Sequence, residues 1–231
     1  MKIALIGKGK TGGEILNLYP LEKICIFDSK NPISLELLQS CDVAIAFVPS
    51  EVLQKMIPLL IKSKIPVVSG ATGQNWDQET IQTLEENNLK WITASNFSLG
   101  MRIVHQMIKK LNMAKSLFDE FEYKIHEIHH TQKLDAPSGT AKSWNGWIDQ
   151  SAEITHARIG DVVGDHEMKL ITPFEEISVR HQALDRKIFA KGALWAAQYL
   201  VNNQQVIPSG LNYFENITEK ILNEKETTHG L

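Results

Sequence analysis

Two cysteines are all that this chain carries in 231 residues, and both, Cys25 and Cys41, lie in or beside apolar stretches. A secreted disulfide scaffold needs several paired cysteines, so that class is excluded and the two thiols are expected to be reduced core residues. Long hydrophobic runs are also lacking. Val43 to Val48 is typical of the longest, far short of the roughly 20 apolar residues that cross a bilayer. Lys2 leads directly into Ile3-Ala4-Leu5-Ile6, too short for the core of a secretory leader and without a small-residue cleavage site. The expected location is the cytoplasm, with no membrane partner. Neither sign of charge dominates: 24 Lys and Arg against 27 Asp and Glu leave a formal net charge of -3 and a pI near 6.2. That balance gives no global attraction for nucleic acid, so any anion-binding site must be local.

What is present is an ordinary globular composition, 43% hydrophobic and 22% charged, of a length that suits two modest units. No repeat or low-complexity linker divides them, so the boundary has to come from a change of pattern. Up to Met113 strand-like and helix-like segments alternate. Lys2–Ile6, Lys23–Phe27, Asp42–Val48, Pro66–Ser69 and Lys90–Ala94 read as strands. Glu14–Leu18, Ser34–Gln39, Glu51–Ile61, Gln78–Asn87 and Met101–Met113 read as helices. Parallel strands need crossovers, so the alternation predicts a parallel sheet covered by helices. After that the order changes. Glu122–His129, His156–Ile159, His166–Thr172 and Glu175–His181 read as strands without regular intervening helices, which predicts a mixed or antiparallel sheet. Helices at Thr140–Ser151 and Arg186–Val201 are expected to pack on it, and the polar tail Asn216–Leu231 is expected to fray.

Gly7-Lys8-Gly9-Lys10-Thr11-Gly12 has the G-x-G-x-x-G spacing at a predicted strand-to-helix junction. Glycines there let the backbone turn sharply and approach a pyrophosphate, which amide N–H groups at the helix start then meet. Gly13 allows a second register, so Gly7, Gly9 and Gly12 are candidates for the loop as a whole. Asp28 closes the second strand about 20 residues on, where a carboxylate can accept from ribose hydroxyls. That favours NADH, while the nearby cation Lys30 could meet a 2'-phosphate, so NADH or NADPH is the cofactor expectation. The fold class expected is α/β, a Rossmann-like doubly wound parallel sheet followed by a second α+β domain on a mixed sheet.

The stretch Glu127-Ile128-His129-His130-Thr131-Gln132-Lys133-Leu134-Asp135-Ala136-Pro137-Ser138-Gly139-Thr140-Ala141 gathers two imidazoles, an ammonium and a Ser-Gly-Thr turn. Histidine exchanges protons near neutral pH, lysine holds a carboxylate, and the Ser138-Gly139-Thr140 amides can open a helix as a second anion site. Two anion sites suggest a small dicarboxylate substrate. Metal is not expected, because adjacent strand histidines point to opposite faces and no ligand spacing accompanies them. Trp144, Trp147 and Trp195 are read as core packing rather than ligand stacking.

This run, E-x-H-H-x-x-K-x-D-A-P-S-G-T-A, resembles the signature of the 4-hydroxy-tetrahydrodipicolinate (dihydrodipicolinate) reductases. Gly70-Ala71-Thr72-Gly73 is similar to that family's G-T-T-G loop, Ser95-Asn96-Phe97-Ser98-Leu99-Gly100 to its P-N-F-S-x-G stretch, Arg158–Gly164 to R-x-G-D-x-V-G, and Phe189–Ala193 to F-A-x-G-A. Ala71 and Ser95 depart from the family's threonine and proline, and the segment between Ser143 and Glu175 looks trimmed. The resemblance implies an NAD(P)H-dependent reductase of lysine and diaminopimelate biosynthesis. It implies His129 as proton donor or acceptor, Lys133 as substrate-polarising cation, His130, Gly139 and Thr140 as carboxylate contacts, and Gly70, Thr72, Ser95, Asn96 and Phe97 as the nicotinamide pocket. It also implies a homotetramer. The division expected is 1–100 plus 203–231 for the dinucleotide and 101–202 for substrate and oligomerisation. A nucleotide-binding sensor without turnover, or another imine dehydrogenase such as an aspartate dehydrogenase, are the competing readings.

Overall fold

A computed structural model describes residues 1–228 and divides the chain into two compact units, residues 1–98 with those from Arg186 onward, and Leu99–Asp185. The first unit is built on a sheet of six parallel strands: β1 (Ile3–Ile6), β2 (Ile24–Phe27), β3 (Val43–Ala46), β4 (Val67–Ser69), β5 (Lys90–Thr93) and β10 (Gly210–Tyr213). Their order is β10-β5-β4-β3-β1-β2. The chain leaves β1 to one side for β2 and crosses back to β3 on the other. The crevice beyond the carboxyl ends of β1 and β3 is therefore the switch point at which open α/β sheets bind ligands.

Both faces of this sheet are covered, which is why its strands read as continuous apolar runs. On one face Ala4, Ile6, Ala44, Ala46, Val67 and Trp91 form a core with Leu38 of α2 (Leu35–Gln39), Leu53, Ile57 and Leu60 of α3 (Ser50–Ser63) and Leu84 of α4 (Gln78–Glu86). Ser34 caps α2 by accepting from Leu37 N–H at 3.3 Å, and Asp77 caps α4 by accepting from Thr80 N–H at 2.6 Å, each satisfying a first-turn donor. On the other face lie α1 (Lys10–Leu18) and α7 (Lys187–Asn202), in contact with each other.

Two expectations are corrected here. Helix α7 packs on β3, β4 and β5 rather than on the mixed sheet, so the part of 101–202 beyond Asp185 belongs with the parallel sheet. Its face is made of Ala190, Gly192, Ala193, Ala196 and Ala197, small residues that let a helix lie close against strands. The segment expected to fray instead contains α8 (Phe214–Thr228), preceded by β10, a strand the sequence reading missed; the last three residues of that tail lie outside the described residues.

The second unit holds α5 (Leu99–Leu111), β6 (Glu122–His129), α6 (Gly139–Gly146), β7 (Glu153–Arg158), β8 (Gly164–Ile171) and β9 (Glu176–Ala183). The sheet order is β7-β6-β8-β9, with β6 parallel to β7 and antiparallel to β8, and β8 antiparallel to β9. Alternation assigns the faces. Tyr123, Ile125, Met168, Leu170 and Val179 meet Met101, Val104 and Ile108 of α5 and Ala141 and Trp144 of α6. Trp144 is fully buried and its indole N–H donates to Met101 Sδ at 3.1 Å, in line with the core reading of that tryptophan.

Candidate active site

In the parallel-sheet unit the glycine loop sits at the switch point. Gly7 ends β1 with φ +87°, and a Cβ there would fall 2.5 Å from the carbonyl oxygen of Phe47, just past β3. A Cβ on Gly12 would fall 2.0 Å from the Gly7 carbonyl oxygen, so the first turn of α1 lies directly on the strand end. Gly9 precedes α1, and nothing lies within 4 Å of where its Cβ would be. The three glycines thus serve a left-handed turn, an open approach and a close helix–strand contact, the cradle a pyrophosphate requires.

Asp28 follows β2 as expected, and it is already engaged. Its Oδ1 accepts from the backbone N–H of Lys30 at 2.8 Å and of Asn31 at 2.9 Å, and Lys8 Nζ lies 2.6 Å from Oδ2. The Lys8 ammonium first, then the two amides, hold this carboxyl down at about 2. A lysine of the glycine loop is thus the ionic partner of this acid.

The residues expected around the nicotinamide divide. Ser95 lines a cavity of about 420 Å³ at the carboxyl ends of β4, β5 and β10, with Ala71, Gly73 and Trp76 among its walls. Thr72 is exposed in the turn beyond β4. Asn96 is half-buried, its Oδ1 accepting from Ser98 N–H at 2.8 Å. Gly70 is forced by packing, since a Cβ would fall 2.2 Å from the Phe47 ring. Phe97 differs from expectation. Its ring is 2% exposed, with centroids 6.1 Å from Phe47 and 5.0 Å from Phe214. Its side chain packs in the core.

In the mixed-sheet unit β6 ends on His129, and residues two apart share a strand face, so Glu127 stands beside it. Glu127 is fully buried. Its Oε1 accepts from Ser138 N–H at 2.9 Å and from Arg158 Nη2 at 3.2 Å, while His129 Nδ1 and His166 Nε2 each lie 3.5 Å from Oε2. Burial pushes the Glu127 carboxyl up, but the Ser138 hydrogen bonds, Arg158 and the His129 charge outweigh it and leave it below the usual carboxylate range. Burial pulls His129 down, with Glu127 opposing and Lys133 and Arg158 assisting. His166 is pulled to about 4 by burial and then by His129.

The three ligand atoms of Glu127, His129 and His166 lie within 4.8 Å of one another, close enough to converge on a metal ion. The expectation of no metal rested on sequence spacing and had not foreseen this cross-strand cluster. Oε1 of the Glu127 carboxylate is engaged by a guanidinium and a backbone amide, while Oε2 faces the two imidazoles.

Lys133 follows β6 with Nζ 2.7 Å from Asp135 Oδ1. Lys133 first, with backbone groups including that of Gly139, holds the Asp135 carboxyl low. The loop is pinned by Arg158, which donates to the carbonyls of Asp135 at 2.6 Å and Lys133 at 3.4 Å. Ser138 caps α6 by accepting from Ala141 N–H at 3.2 Å, placing Gly139 and Thr140 at the helix start, where amides favour an anion. His130 follows His129 half-buried, its carbonyl accepting from Lys133 N–H at 3.1 Å.

Residues 22–97 match the dihydrodipicolinate reductase N-terminus and residues 100–213 the dihydrodipicolinate reductase C-terminus. A 4-hydroxy-tetrahydrodipicolinate reductase of Bdellovibrio bacteriovorus is 30% identical, over 88% of this chain and 92% of its own length. The chain belongs to the dihydrodipicolinate reductase family. A second reductase of the same name, from Alkaliphilus metalliredigens, is 29% identical over 94% of this chain and 98% of its own length. Little of either relative lies outside the match. The fold is shared with a dipicolinate-bound dihydrodipicolinate reductase from Paenisporosarcina sp. TG-14, at a TM-score of 0.73 and 23% identity over 94% of this chain and 99% of that one.

Like the rest of its family, this reductase is an oxidoreductase with a nucleotide-binding Rossmann domain. Among the described residues no helix is long and apolar enough to cross a membrane. Sequence reasoning assigned no role to Glu127, Arg158 or His166. The sequence showed an acid two residues before a histidine on one strand and an arginine opening the R-x-G-D-x-V-G segment, but Arg158 and His166 reach Glu127 from separate strands.

Proposed function

We propose that this chain reduces 4-hydroxy-tetrahydrodipicolinate to tetrahydrodipicolinate with NADH or NADPH, a step of lysine and diaminopimelate biosynthesis. The observation that carries the reading is the juxtaposition of a buried His129–Glu127 pair, Lys133 and the amino end of α6. The conversion takes up one hydride and one proton and releases water. When bound, reduced nicotinamide supplies the hydride; Gly7, Gly9, Gly12 and the strand ends near Gly70 and Ser95 would hold the dinucleotide. The glycine cradle fits such a group, since a Cβ at Gly7 or Gly12 would strike backbone.

His129 supplies or takes the proton, Lys133 draws a substrate carboxylate and stabilises negative charge, and the Gly139 and Thr140 amides with the Thr140 hydroxyl hold the second carboxylate. His130 contacts a carboxylate. Asp28 offers an acceptor to ribose hydroxyls, while Lys8 at 2.6 Å offers a cation to a 2'-phosphate, which supports use of both cofactors. The face of the mixed sheet opposite α5 and α6 presents His126, Ile128, Asp165, Glu167 and Arg180 around a hollow of about 130 Å³. We assign to it the contact between copies of a cytoplasmic homotetramer, to be checked by light scattering.

The test is loss of reduced-nicotinamide absorbance when the protein meets NADH or NADPH with the freshly made product of dihydrodipicolinate synthase. Rapid oxidation is expected, and His129→Gln should lower kcat by about 100-fold or more with cofactor affinity unchanged. Nucleotide binding without oxidation would instead favour the sensor, and oxidation only with another imine would favour a different dehydrogenase.

A further inference from the structure

His129 is only 6% exposed, and an imidazole that trades protons from such a place needs its other nitrogen fixed, or the ring presents the wrong tautomer. Its two nitrogens have unlike surroundings. Nδ1 faces Glu127 Oε2 at 3.5 Å, and neither atom has a hydrogen-bond partner at shorter range. Nε2 lies toward Gly164, where a Cβ would come within 3.2 Å of it; with glycine there, no side chain grows from that position against this nitrogen.

We propose that Glu127 is a positioning residue. It orients His129 through Nδ1–H, so that Nε2 exchanges the proton, and through Arg158 it ties this ring to the loop that carries Lys133. The ties are on neighbouring strands. Arg158 is the register partner of His129 across β6 and β7, and its Nη2 reaches both Glu127 Oε1 at 3.2 Å and the Asp135 carbonyl at 2.6 Å. From β8, His166 Nε2 flanks the same carboxylate at 3.5 Å and meets Ser138 Oγ at 3.3 Å. The long Nδ1–Oε2 separation suits a contact that tightens when substrate arrives.

Burial on this scale also explains why an acid is retained inside the sheet. A lone buried carboxylate is costly, whereas one paired with an arginine and hydrogen-bonded by a backbone amide has its charge compensated. The groups facing His129 are Glu127 on its own strand, Lys133 and Asp135 from the loop, Arg158 from β7 and His166 from β8. Of these, Glu127 and Asp135 favour the imidazolium, and Lys133 and Arg158 oppose it. Removing the Glu127 charge therefore moves the loss of protonated His129 to lower pH.

This inference rests on His129 being the proton-transfer group, so its first test needs no turnover. Two-bond nitrogen–proton NMR on histidine-labelled wild-type protein, above the His129 pKa, should show Nδ1 protonated and Nε2 bare. An Nε2–H tautomer would overturn the proposal whether or not the protein is a reductase. In the second, Glu127→Gln should lower kcat roughly tenfold or more, shift the alkaline limb of the pH profile to lower pH, and leave cofactor affinity unchanged, with Glu127→Asp restoring part of both losses. An active wild type whose Glu127→Gln variant keeps the same kcat and pH profile would refute the positioning role and leave the reductase reading intact. If Glu127→Gln does not fold, the wild-type tautomer decides alone.

Discussion

Histidines buried against a carboxylate couple this protein's chemistry to its stability. Unfolded, the imidazole of His166 titrates at the ordinary 6.5; folded, burial and the neighbouring His129 bring it to about 4. Between those values the unfolded chain binds the proton and the folded chain does not. The stability that is complete above 6.5 is therefore lost as pH falls toward 4, by roughly 3 kcal/mol at 1.36 kcal/mol per unit. His129 and His181, also pulled down by burial, add to the same slope. Asp28, held at about 2, does not titrate in that window. Urea midpoints at several pH values between 7 and 4 should fall steadily for the wild type and less steeply for His166→Gln. Parallel slopes would show that His166 is not the group responsible.

Two helices of the parallel-sheet unit approach their neighbours through glycine. In α1 it is Gly12 against the Gly7 carbonyl, and in α7 it is Gly192, where a Cβ would fall 1.7 Å from the carbonyl oxygen of Phe97. That atom belongs to backbone held by a buried phenylalanine, so it has little room to give. Gly192→Ala should cost about 3 kcal/mol by overpacking, lowering Tm by about 6–12 °C for a chain of this size; an unchanged Tm would mean that α7 can slide along the sheet. The same contact accounts for the misplacement of this helix in the sequence reading. Its small residues were visible as a pattern, but nothing in them names the sheet against which they pack.

At the scale of the molecule, the parallel-sheet unit is discontinuous, 1–98 being completed by residues from Arg186 onward, whereas Leu99–Asp185 is one uninterrupted stretch. A fragment of residues 1–98 would lack α7 and β10. It would uncover β5 along one edge and the face that carries Ile3, Leu5, Val43 and Ile45, all fully buried in the whole chain. Apolar area exposed on that scale is not compatible with a stable small domain. Fragment 1–98 should show no cooperative thermal transition and poor dispersion in its amide spectrum, and a well-dispersed spectrum would contradict the role given to α7 and β10.

The amino-acid sequence by itself determined the alternation that makes a parallel sheet, the glycine turn with Asp28 after it, and the His129–Lys133–Ser138 run. Each of these is set by residue periodicity or by backbone conformations open to few residue types, and is therefore local. β10 escaped because Gly210–Tyr213 is short and becomes a strand by pairing with β5. Arg158 and His166 reach Glu127 only because β7 and β8 flank β6 in register. Lys8 meets Asp28 only because β1 and β2 end side by side. Phe97 stood within a motif of the family and proved to be core. Burial and charge pairing are properties of neighbours distant in sequence, and those neighbours were decided by the tertiary structure alone.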